Sequence, residues 1–378
     1  MLRQHTKEFL DAQGVFQQPG SYVLVDGQYG STGKGLMADL MEQYDFATGE
    51  RVNVVTTNAG PNSGHTAVLD DGEKVFTQQI PVFSACRGVR QLKSAYPDEI
   101  HMPMTYLNGG AVIDMGYLEQ EIITYGVNPW IHSSAAVITD DVKTMFDDGS
   151  MAAIASTGKG IGQAMAAKVL RRDVNFKLMP TPSVDVGEVS LVQDLRKQTV
   201  FVETAQGFSL GINSGFYPWT TSRECSVPQA LADAGISPFD LRRVIMTIRA
   251  HPIRVGNTED GFSGPHYPDQ VELTWEDLGV EAELTSVTKR IRRVFSFSEM
   301  QLEQACLVNR PHIILLNFCN YLTPEAAAEL AEKVLQIGRG YNIRCNLLIG
   351  MGAKASDVFT HDDLNNGRIP ANLFHGVK

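Results

Sequence analysis

A glycine-rich segment near the N-terminus has the residue types of a phosphate-binding loop. It reads VDGQYGSTGKGLMADLM over residues 25–41, with Gly33, Lys34 and Gly35 at its centre. Glycines let backbone amides approach an anion, and the lysine supplies the matching positive charge. The standard loop is GxxxxGK followed by Ser or Thr, whereas here Gly35 follows the lysine. The middle of the loop contains Ser31 and Thr32 and no carboxylate. Phosphate binding is the stronger interpretation, and a tight strand-to-helix turn is the alternative.

A second polar segment, NAGPNSGHT at residues 58–66, follows the next apolar run of the chain. Its Asn62, Gly64, His65 and Thr66 are expected on an exposed loop. A lone histidine is more often structural than catalytic. One that stands between glycine and threonine beside a phosphate site is a better candidate for a general acid.

Short apolar runs that alternate with helical patterns must position these two segments. The buried strands are read from SYVLVDG, VNVVTTNAG, VIMTIRA, HIILLNF and RCNLLIGMG, each of which leads into polar or glycine-rich residues. KGLMADLMEQY reads as the helix after the loop, and Thr323 and Pro324 are suited to start another helix, which Gly338 and Gly340 end. Alternating strands and helices predict an α/β fold, with a mostly parallel central sheet flanked by helices. Ligands of such sheets bind beyond the carboxyl ends of the strands, where the polar segments stand.

Composition narrows the class of protein and its partners. The formal net charge of -11 argues against nucleic-acid binding, which usually needs a basic surface. The five cysteines include no CxxC pair, which indicates reduced thiols in a cytoplasmic protein. No segment is apolar enough to span a membrane or to act as a signal peptide. We therefore expect a cytoplasmic protein with neither nucleic-acid nor membrane partners, and one domain over residues 1–378 with 1–20 as an N-terminal extension.

The two polar segments together resemble the adenylosuccinate synthetase family, which is characterised by a GDEGKGK-type loop and an NAGHT segment. Here these read GSTGKGL and NSGHT, and further matching segments follow in order: IASTGKGIGQAMAAKVLRRD, VFVETAQGFSLGINSGFYPWTTS, ELTSVTKRIRR, LLNFCNYL and LLIGMGAK. Members phosphorylate O6 of a purine monophosphate and then displace that phosphate with the amino group of aspartate. The resemblance implies a P-loop-like adenylosuccinate synthetase fold and a C–N ligase that uses Mg²⁺.

The resemblance also implies roles for the matching residues. Catalytic roles fall to Ser31, His65 and Gln206. The donor nucleotide would be bound by Gly33, Lys34, Gly35, Thr66, Asn317, Asn320, Gly350 and Gly352. The acceptor nucleotide would be bound by Ser31, Asn62, Ser156, Thr157, Arg171, Gln206, Thr221 and Arg290. L-Aspartate would be held by Thr288, Arg290 and Arg292, since guanidinium groups suit carboxylates, and the metal by Ser31 and Gly64. Arg171 matches an arginine that members contribute across a dimer interface, which implies a homodimer.

Departures from the family pattern point to the substrates. Ser31 stands where the family has the aspartate that takes the N1 proton of IMP and binds magnesium. A serine leaves room for an amino group on C2 of the purine and accepts a hydrogen bond from it, which resembles the viral branch that uses dGMP on the way to 2-aminoadenine DNA. Thr32 replaces a glutamate, for which the sequence offers no mechanism. Asn317 and Asn320 replace the guanine-reading TKLD motif, and because amides pair with adenine, ATP or dATP is the expected donor.

The leading interpretation is thus a ligase that joins L-aspartate to C6 of dGMP through a 6-phosphoryl intermediate, giving N6-succino-2-amino-2′-deoxyadenylate. If the chain is phage-encoded, it would act in the host cytoplasm. Three alternatives stay open at this point. They are an IMP-dependent synthetase of purine biosynthesis, a non-catalytic nucleotide-binding protein, and a P-loop kinase that would have no use for the aspartate loop.

Overall fold

The computed structural model describes residues 2–144, 150–172, 174, 184, 186–189, 195–285 and 289–376. Thr288, which is predicted to bind aspartate, lies outside the described residues. The strands are β1 (Gly20–Asp26), β2 (Val54–Thr57), β3 (His65–Val68), β4 (Lys74–Thr77), β5 (Met104–Leu107), β6 (Val112–Ile113), β7 (Trp130–His132), β8 (Ala136–Val137), β9 (Gly187–Val189), β10 (Thr199–Glu203), β11 (Leu241–Arg249), β12 (Ile253–Arg254), β13 (Glu272–Leu273), β14 (Arg293–Phe295), β15 (Ile313–Asn317), β16 (Asn346–Gly350) and β17 (Val358–Thr360).

Helices connect most of these strands. They are α1 (Gln4–Ala12), α2 (Lys34–Ala47), α3 (Val82–Lys93), α4 (Met115–Tyr125), α5 (Asp140–Thr144), α6 (Ser150–Ala153), α7 (Ile161–Val169), α8 (Val227–Ala234), α9 (Glu299–Asn309), α10 (Pro324–Gly340) and α11 (His361–Asn365). The predicted start of α10 is confirmed, because the Thr323 hydroxyl accepts a hydrogen bond from the Ala326 amide at 3.2 Å and Pro324 is the first helical residue.

A ten-stranded sheet forms the centre of the molecule, in the order β17-β16-β15-β11-β1-β10-β2-β5-β7-β9. Among the described residues its neighbouring strands run parallel, except that β17 pairs antiparallel with β16. This confirms the predicted α/β fold with a mostly parallel sheet. Parallel strands carry their carboxyl ends to one edge, so β1, β2 and β11 deliver their following loops to the same side of the sheet.

Strand β1 shows why the sheet needs helices on both faces. All seven of its residues are buried, which is typical of a central parallel strand. Its side chains alternate between two hydrophobic clusters: Tyr22 and Leu24 join one cluster, and Val23 and Val25 join the other. Burial on both faces holds β1 firmly, and the loop after Asp26 begins from a fixed base.

Helix α1, within the predicted N-terminal extension, packs against the antiparallel edge of the sheet. Leu10 of α1 is fully buried in the core, and the Thr6 hydroxyl donates a hydrogen bond of 2.9 Å to the Val358 carbonyl of β17. Within the part of the chain that the structure describes, no helix is long and apolar enough to cross a membrane.

Candidate active site

The carboxylate of Asp26, at the end of β1, lies beneath the glycine loop and shapes it. One of its oxygens accepts hydrogen bonds from the amides of Gln28 (2.9 Å) and Gly30 (3.2 Å). The other accepts from the Thr32 hydroxyl at 2.5 Å. Because a buried carboxylate must find several donors to offset its lost hydration, the loop folds over Asp26 so that its amides and hydroxyl meet these oxygens.

The Lys34 side chain also points to this carboxylate. Its ammonium lies 3.3 Å from Asp26 Oδ2 and donates a hydrogen bond to the Gln206 carbonyl. Thr32, whose role the sequence left open, is fully buried and lies between Asp26 and the Thr247 hydroxyl, 2.6 Å away. The loop contains no acidic residue, as its sequence shows, and the carboxylate beneath it comes from Asp26 at the end of β1.

The unusual glycine after Lys34 has a steric cause. A β-carbon on Gly35 would lie 2.2 Å from the Thr66 carbonyl oxygen, which no larger residue could tolerate. Gly33, at φ +100°, faces a similar limit, since its β-carbon would lie 2.1 Å from the Asn317 amide nitrogen. The loop therefore packs directly on the backbone of β3 and on the end of β15, and only glycine fits at these two positions.

Two adjoining cavities open at the carboxyl ends of the central strands. The first is lined by five residues predicted to bind the acceptor nucleotide: Asn62, Ser156, Thr157, Gln206 and Thr221. The second is lined by residues of the glycine loop, the NSGHT segment and the basic loop: Ser31, Gly33, Lys34, Gly35, Gly64, His65, Thr66 and Arg292. Asn62, Thr157 and Gln206 line both cavities, together with Tyr29, Leu210 and Val255. A group bound in one cavity would thus meet a group bound in the other.

The structure does not bring four predicted donor-binding residues, Asn317, Asn320, Gly350 and Gly352, to the walls of these cavities. Asn317 is buried behind the loop, where its amide donates to the Thr32 carbonyl (3.3 Å) and accepts from the Phe318 amide (2.9 Å). These two contacts hold the Asn317 amide behind the loop, away from the cavity walls. The donor-binding role of these residues stays a prediction.

Two predicted arginines also lie away from the cavity walls. Arg290 donates to the Gly256 carbonyl at 3.3 Å. Arg171 is exposed just beyond the end of α7, whose first residue, Ile161, lines the first cavity. Nine helical residues span roughly 13 Å, so Arg171 is far from the cavity of its own chain. This position suits an arginine that serves a neighbouring subunit.

His65 enters the second cavity at the start of β3. Burial, with a further contribution from the nearby Lys34 charge, lowers the pKa of its imidazole from 6.5 to about 3. The ring is therefore neutral at physiological pH and offers one N–H donor and one acceptor nitrogen. Such a group can donate a hydrogen bond to charge that develops on a reacting oxygen.

A buried arginine that the sequence did not single out connects the glycine loop with the basic loop. Arg249, fully buried at the end of β11, donates to the Ser31 carbonyl at 3.2 Å and pairs with Glu283 through both terminal nitrogens (2.5 and 3.2 Å). Its guanidinium lies 3.8 Å from the centre of the Phe318 ring. Ser31 has a left-handed backbone at φ +57°, so Arg249 helps to hold a strained turn that keeps the Ser31 side chain exposed.

The second cavity suits anions at two places. Lys34 and the start of α2 lie on one side, where helical amides favour phosphate. Arg292 also lines this cavity; burial lowers the pKa of Arg292 to about 10, so its guanidinium stays charged at neutral pH. Among the described residues, no cluster of three or more His, Cys, Asp or Glu side chains forms a metal site. The oxygen donors of Ser31 and Gly64 fit a hard cation that takes its other ligands from phosphates.

Known proteins resemble this chain in sequence and in overall structure. Residues 178–344 match the family model "Adenylosuccinate synthetase". The N6-succino-2-amino-2′-deoxyadenylate synthase of Vibrio phage phiVC8 is 34% identical over 363 residues, covering 90% of this chain and 98% of that protein. The corresponding enzyme of Acinetobacter phage SH-Ab 15497 is 35% identical over 383 residues, covering 89% and 92%.

A solved structure of the succinoaminodeoxyadenylate synthetase of cyanophage S-2L, bound to dGMP and to dATP as an energy donor, superposes with a TM-score of 0.79. It is 30% identical, and the match covers 94% of this chain and 99% of that one. The fully ligated adenylosuccinate synthetase of Plasmodium falciparum shares the fold, with a TM-score of 0.67 at 17% identity over 90% and 99% of the chains. The chain belongs to the adenylosuccinate synthetase family.

Proposed function

We propose that the protein is a C–N ligase that joins L-aspartate to C6 of dGMP, with ATP or dATP as phosphoryl donor, to give N6-succino-2-amino-2′-deoxyadenylate. The observation that carries this proposal is the exposed Ser31 on the glycine loop in the second cavity, where a carboxylate would crowd the 2-amino group of guanine. The phage relatives bear the name of this activity, and the cyanophage structure holds dGMP and dATP.

The acceptor dGMP occupies the first cavity. Its 5′-phosphate lies against Ser156, Thr157 and the N-terminus of α7, where hydroxyls and free helical amides favour an anion. Its purine extends to Gln206 and Ser31 at the junction with the second cavity. The Ser31 hydroxyl accepts a hydrogen bond from the 2-amino group, and this contact distinguishes guanine from hypoxanthine.

The first chemical step is phosphoryl transfer. The donor triphosphate lies along the glycine loop, and its γ-phosphoryl group moves to O6 of dGMP, while the N1 proton is released and the nucleoside diphosphate leaves. Lys34 and the loop amides stabilise the charge on the transferring group. The neutral His65 ring donates a hydrogen bond to the oxygen at which charge develops.

The second step displaces the new phosphate. L-Aspartate lies in the second cavity with a carboxylate on Arg292, and its amino nitrogen attacks C6, from which inorganic phosphate departs. Phosphorylation is needed first because an oxygen on a purine is otherwise a poor leaving group. Arg292 orients the nucleophile, which turns binding energy into a favourable geometry for attack.

A bound Mg²⁺ would neutralise phosphate charge at this site. The residues that suit it are Ser31 and Gly64, whose oxygens line the second cavity.

The acceptor site is completed across a homodimer by Arg171 of the partner subunit. Val169 and Leu170, beside Arg171, expose apolar side chains (73% and 55%) that association would cover.

Product analysis tests the proposal. The protein is incubated with dGMP, L-aspartate, ATP and Mg²⁺, and the products are separated and weighed by mass spectrometry. We expect a succinylated nucleotide, together with ADP and phosphate in equal amounts. Reactions without aspartate should yield no succinylated product; phosphoryl transfer that proceeds to a stable product without aspartate would instead identify a kinase. Binding of nucleotides without any turnover of dGMP, GMP or IMP would identify a non-catalytic protein.

A further inference from the structure

A buried arginine in the wall of the first cavity has no role in the chemistry described so far. Arg254, the last residue of β12, is only 3% exposed and lines this cavity. Its guanidinium donates to the Pro265 carbonyl at 2.9 Å and to the Trp219 carbonyl at 3.1 Å. Its Cζ atom lies 4.7 Å from the centre of the Tyr29 ring. All three partners are uncharged, so none of them neutralises the positive charge of Arg254.

The other buried arginines show how unusual these surroundings are. Four arginines of the described residues are more than nine-tenths buried: Arg87, Arg223, Arg249 and Arg254. Arg87 forms ion pairs with three carboxylates, and Arg249 pairs with Glu283. Arg223 and Arg254 instead donate to backbone carbonyls and form no ion pair within the described part of the chain. A buried guanidinium without a counter-charge is costly, and of these two arginines it is Arg254 that lines the first cavity.

The wall of the first cavity is positively charged. Its described residues include Arg254 and Lys159 but neither aspartate nor glutamate. The Lys159 ammonium donates a hydrogen bond to the Tyr117 hydroxyl at 2.9 Å. Burial lowers the pKa of Arg254 to about 10, so its guanidinium still carries its charge at neutral pH. A cavity lined by charge of one sign attracts a ligand of the opposite sign, and this one therefore suits an anion.

Two N–H groups in the same wall have no acceptor. Among the residues that the structure describes, neither Arg254 Nε nor Trp219 Nε1 has a hydrogen-bond partner, although both atoms are buried. Both residues line the first cavity. Buried donors are nearly always paired because an unpaired one costs free energy. An unpaired cation and unpaired donors in one cavity wall indicate that the missing acceptor and the missing negative charge belong to a ligand.

We propose that Arg254 supplies the counter-charge for the phosphate of the acceptor nucleotide in the first cavity. The inference rests on the proposed function, because it concerns the phosphate of the same nucleotide. The cavity has a volume of about 140 Å³, so an anion beside Ser156 and Thr157 lies within the range of the Arg254 charge, which is weakly screened inside a protein. The hydroxyls of Ser156 and Thr157 then donate hydrogen bonds to the phosphate, and Arg254 balances its charge.

Calorimetric binding of dGMP and of 2′-deoxyguanosine to the full chain tests this inference. The two ligands share base and sugar and differ in the phosphate, so the ratio of the dissociation constant of 2′-deoxyguanosine to that of dGMP measures what the phosphate contributes. We expect Arg254→Gln to lower this ratio about tenfold or more, because it removes a charge close to the phosphate. The affinity for 2′-deoxyguanosine itself should change about threefold or less, since the nucleoside carries no charge.

A second variant, Arg254→Lys, separates the charge of Arg254 from its hydrogen bonds. Lysine keeps the positive charge but lacks the planar fork that donates to the Pro265 and Trp219 carbonyls. We expect the ratio for Arg254→Lys to stay within about threefold of that of the parent. If Arg254→Lys lowers the ratio as far as Arg254→Gln does, the charge does not bind the phosphate and the inference is overturned.

Arg223→Gln is the matched control. Arg223 is also buried and donates to two backbone carbonyls, those of Asn58 and Gly110, but it lines neither the first nor the second cavity. Its replacement should leave the ratio within about threefold of that of the parent. The inference is also overturned if Arg254→Gln leaves the ratio unchanged, or if Arg223→Gln lowers it equally.

Binding needs no turnover, which separates this inference from the proposed function. If the parent forms no aspartate-dependent product from dGMP, the proposed function fails, while a ratio that Arg254→Gln lowers still supports the role of Arg254. If the product forms but the parent binds dGMP no more tightly than 2′-deoxyguanosine, the proposed function stands and the role of Arg254 is contradicted.

Discussion

The Asp26 carboxylate lies 3.3 Å from the Lys34 ammonium, and both side chains are buried beneath the glycine loop. The same carboxylate accepts hydrogen bonds from the Gln28 amide, the Gly30 amide and the Thr32 hydroxyl. One acidic side chain thus fixes both the shape of the loop and one position of the lysine that is expected to bind phosphate.

Replacing Asp26 by asparagine should destabilise the loop. An asparagine amide keeps one acceptor oxygen and turns an NH₂ group toward donors that need an acceptor, so at least one buried hydrogen bond is lost. We expect Asp26→Asn to lower the free energy of unfolding in urea by about 1–3 kcal/mol, and to raise KM for ATP. Asp98→Asn, at an exposed position, is the control and should change neither quantity. If Asp26→Asn has the same free energy of unfolding as the parent, the Asp26 carboxylate does not stabilise the loop.

The pair between Arg249 and Glu283 leads to a second prediction. Glu283→Gln leaves the fully buried Arg249 without its counter-charge, which should lower the free energy of unfolding by roughly 3 kcal/mol. The matched control is Glu272→Gln, which disrupts a more exposed pair with Arg293 and should cost about 1 kcal/mol or less. Unfolding in urea measures the free energy of unfolding of both variants. If both lose the same amount, the buried pair contributes no more to stability than the exposed one.

The pKa of His65 predicts a dependence of stability on pH. Its imidazole has a pKa of about 3 in the folded chain against 6.5 in the unfolded chain, because it is buried near Lys34. Between these values the unfolded chain binds more protons, so the folded protein loses stability as pH falls below about 6.5.

Unfolding in urea at pH 7.5 and 5.5 measures this loss. His65→Gln, which cannot be protonated in this range, should lose less stability on acidification than the parent. His101→Gln, at an exposed position, should behave as the parent does. If His65→Gln and the parent lose equal stability, the imidazole does not have the lowered pKa.

The exposed Arg171 predicts complementation between subunits. If each subunit supplies Arg171 to its partner's site, Arg171→Ala should abolish most activity without loss of stability. Lys34→Ala should also abolish most activity, because it removes the lysine that is expected to bind phosphate. A heterodimer of the two variants contains one intact site, because Lys34 and Arg171 then come from different chains. Mixing and reassociating the inactive variants should restore about a quarter of the parent activity by statistics. No recovery in a mixture that contains heterodimers would place Arg171 in the site of its own chain.

Much of the fold could be predicted from local patterns in the sequence. Residues 22–25 of β1 form an apolar run because the strand is buried on both faces, and Thr323 and Pro324 mark the start of α10 by their capping chemistry. The two polar segments after β1 and β2 were expected together, since parallel strands end at one edge. The structure places Lys34 and His65 in one cavity.

Contacts between distant residues could not be predicted in this way. Arg249 and Glu283 are 34 positions apart and meet only because the strand and the loop fold toward Ser31. The sequence places Asp26 at the end of a strand, but the residues around it do not show that its carboxylate lies beneath the glycine loop. The resemblance implies a base-reading role for Asn317, but the sequence could not show that Gly33 and Gly350 lie close to its side-chain amide.

Ser31 is the residue that we propose selects a purine with a 2-amino group. The most direct measurement compares kcat/KM for dGMP and IMP, with ATP and L-aspartate, in the parent and in Ser31→Asp. We expect the parent to prefer dGMP by at least about a hundredfold, and Ser31→Asp to lower this preference at least about tenfold because the carboxylate crowds the amino group. If the parent turns over IMP as well as or better than dGMP, Ser31 does not select the 2-amino group.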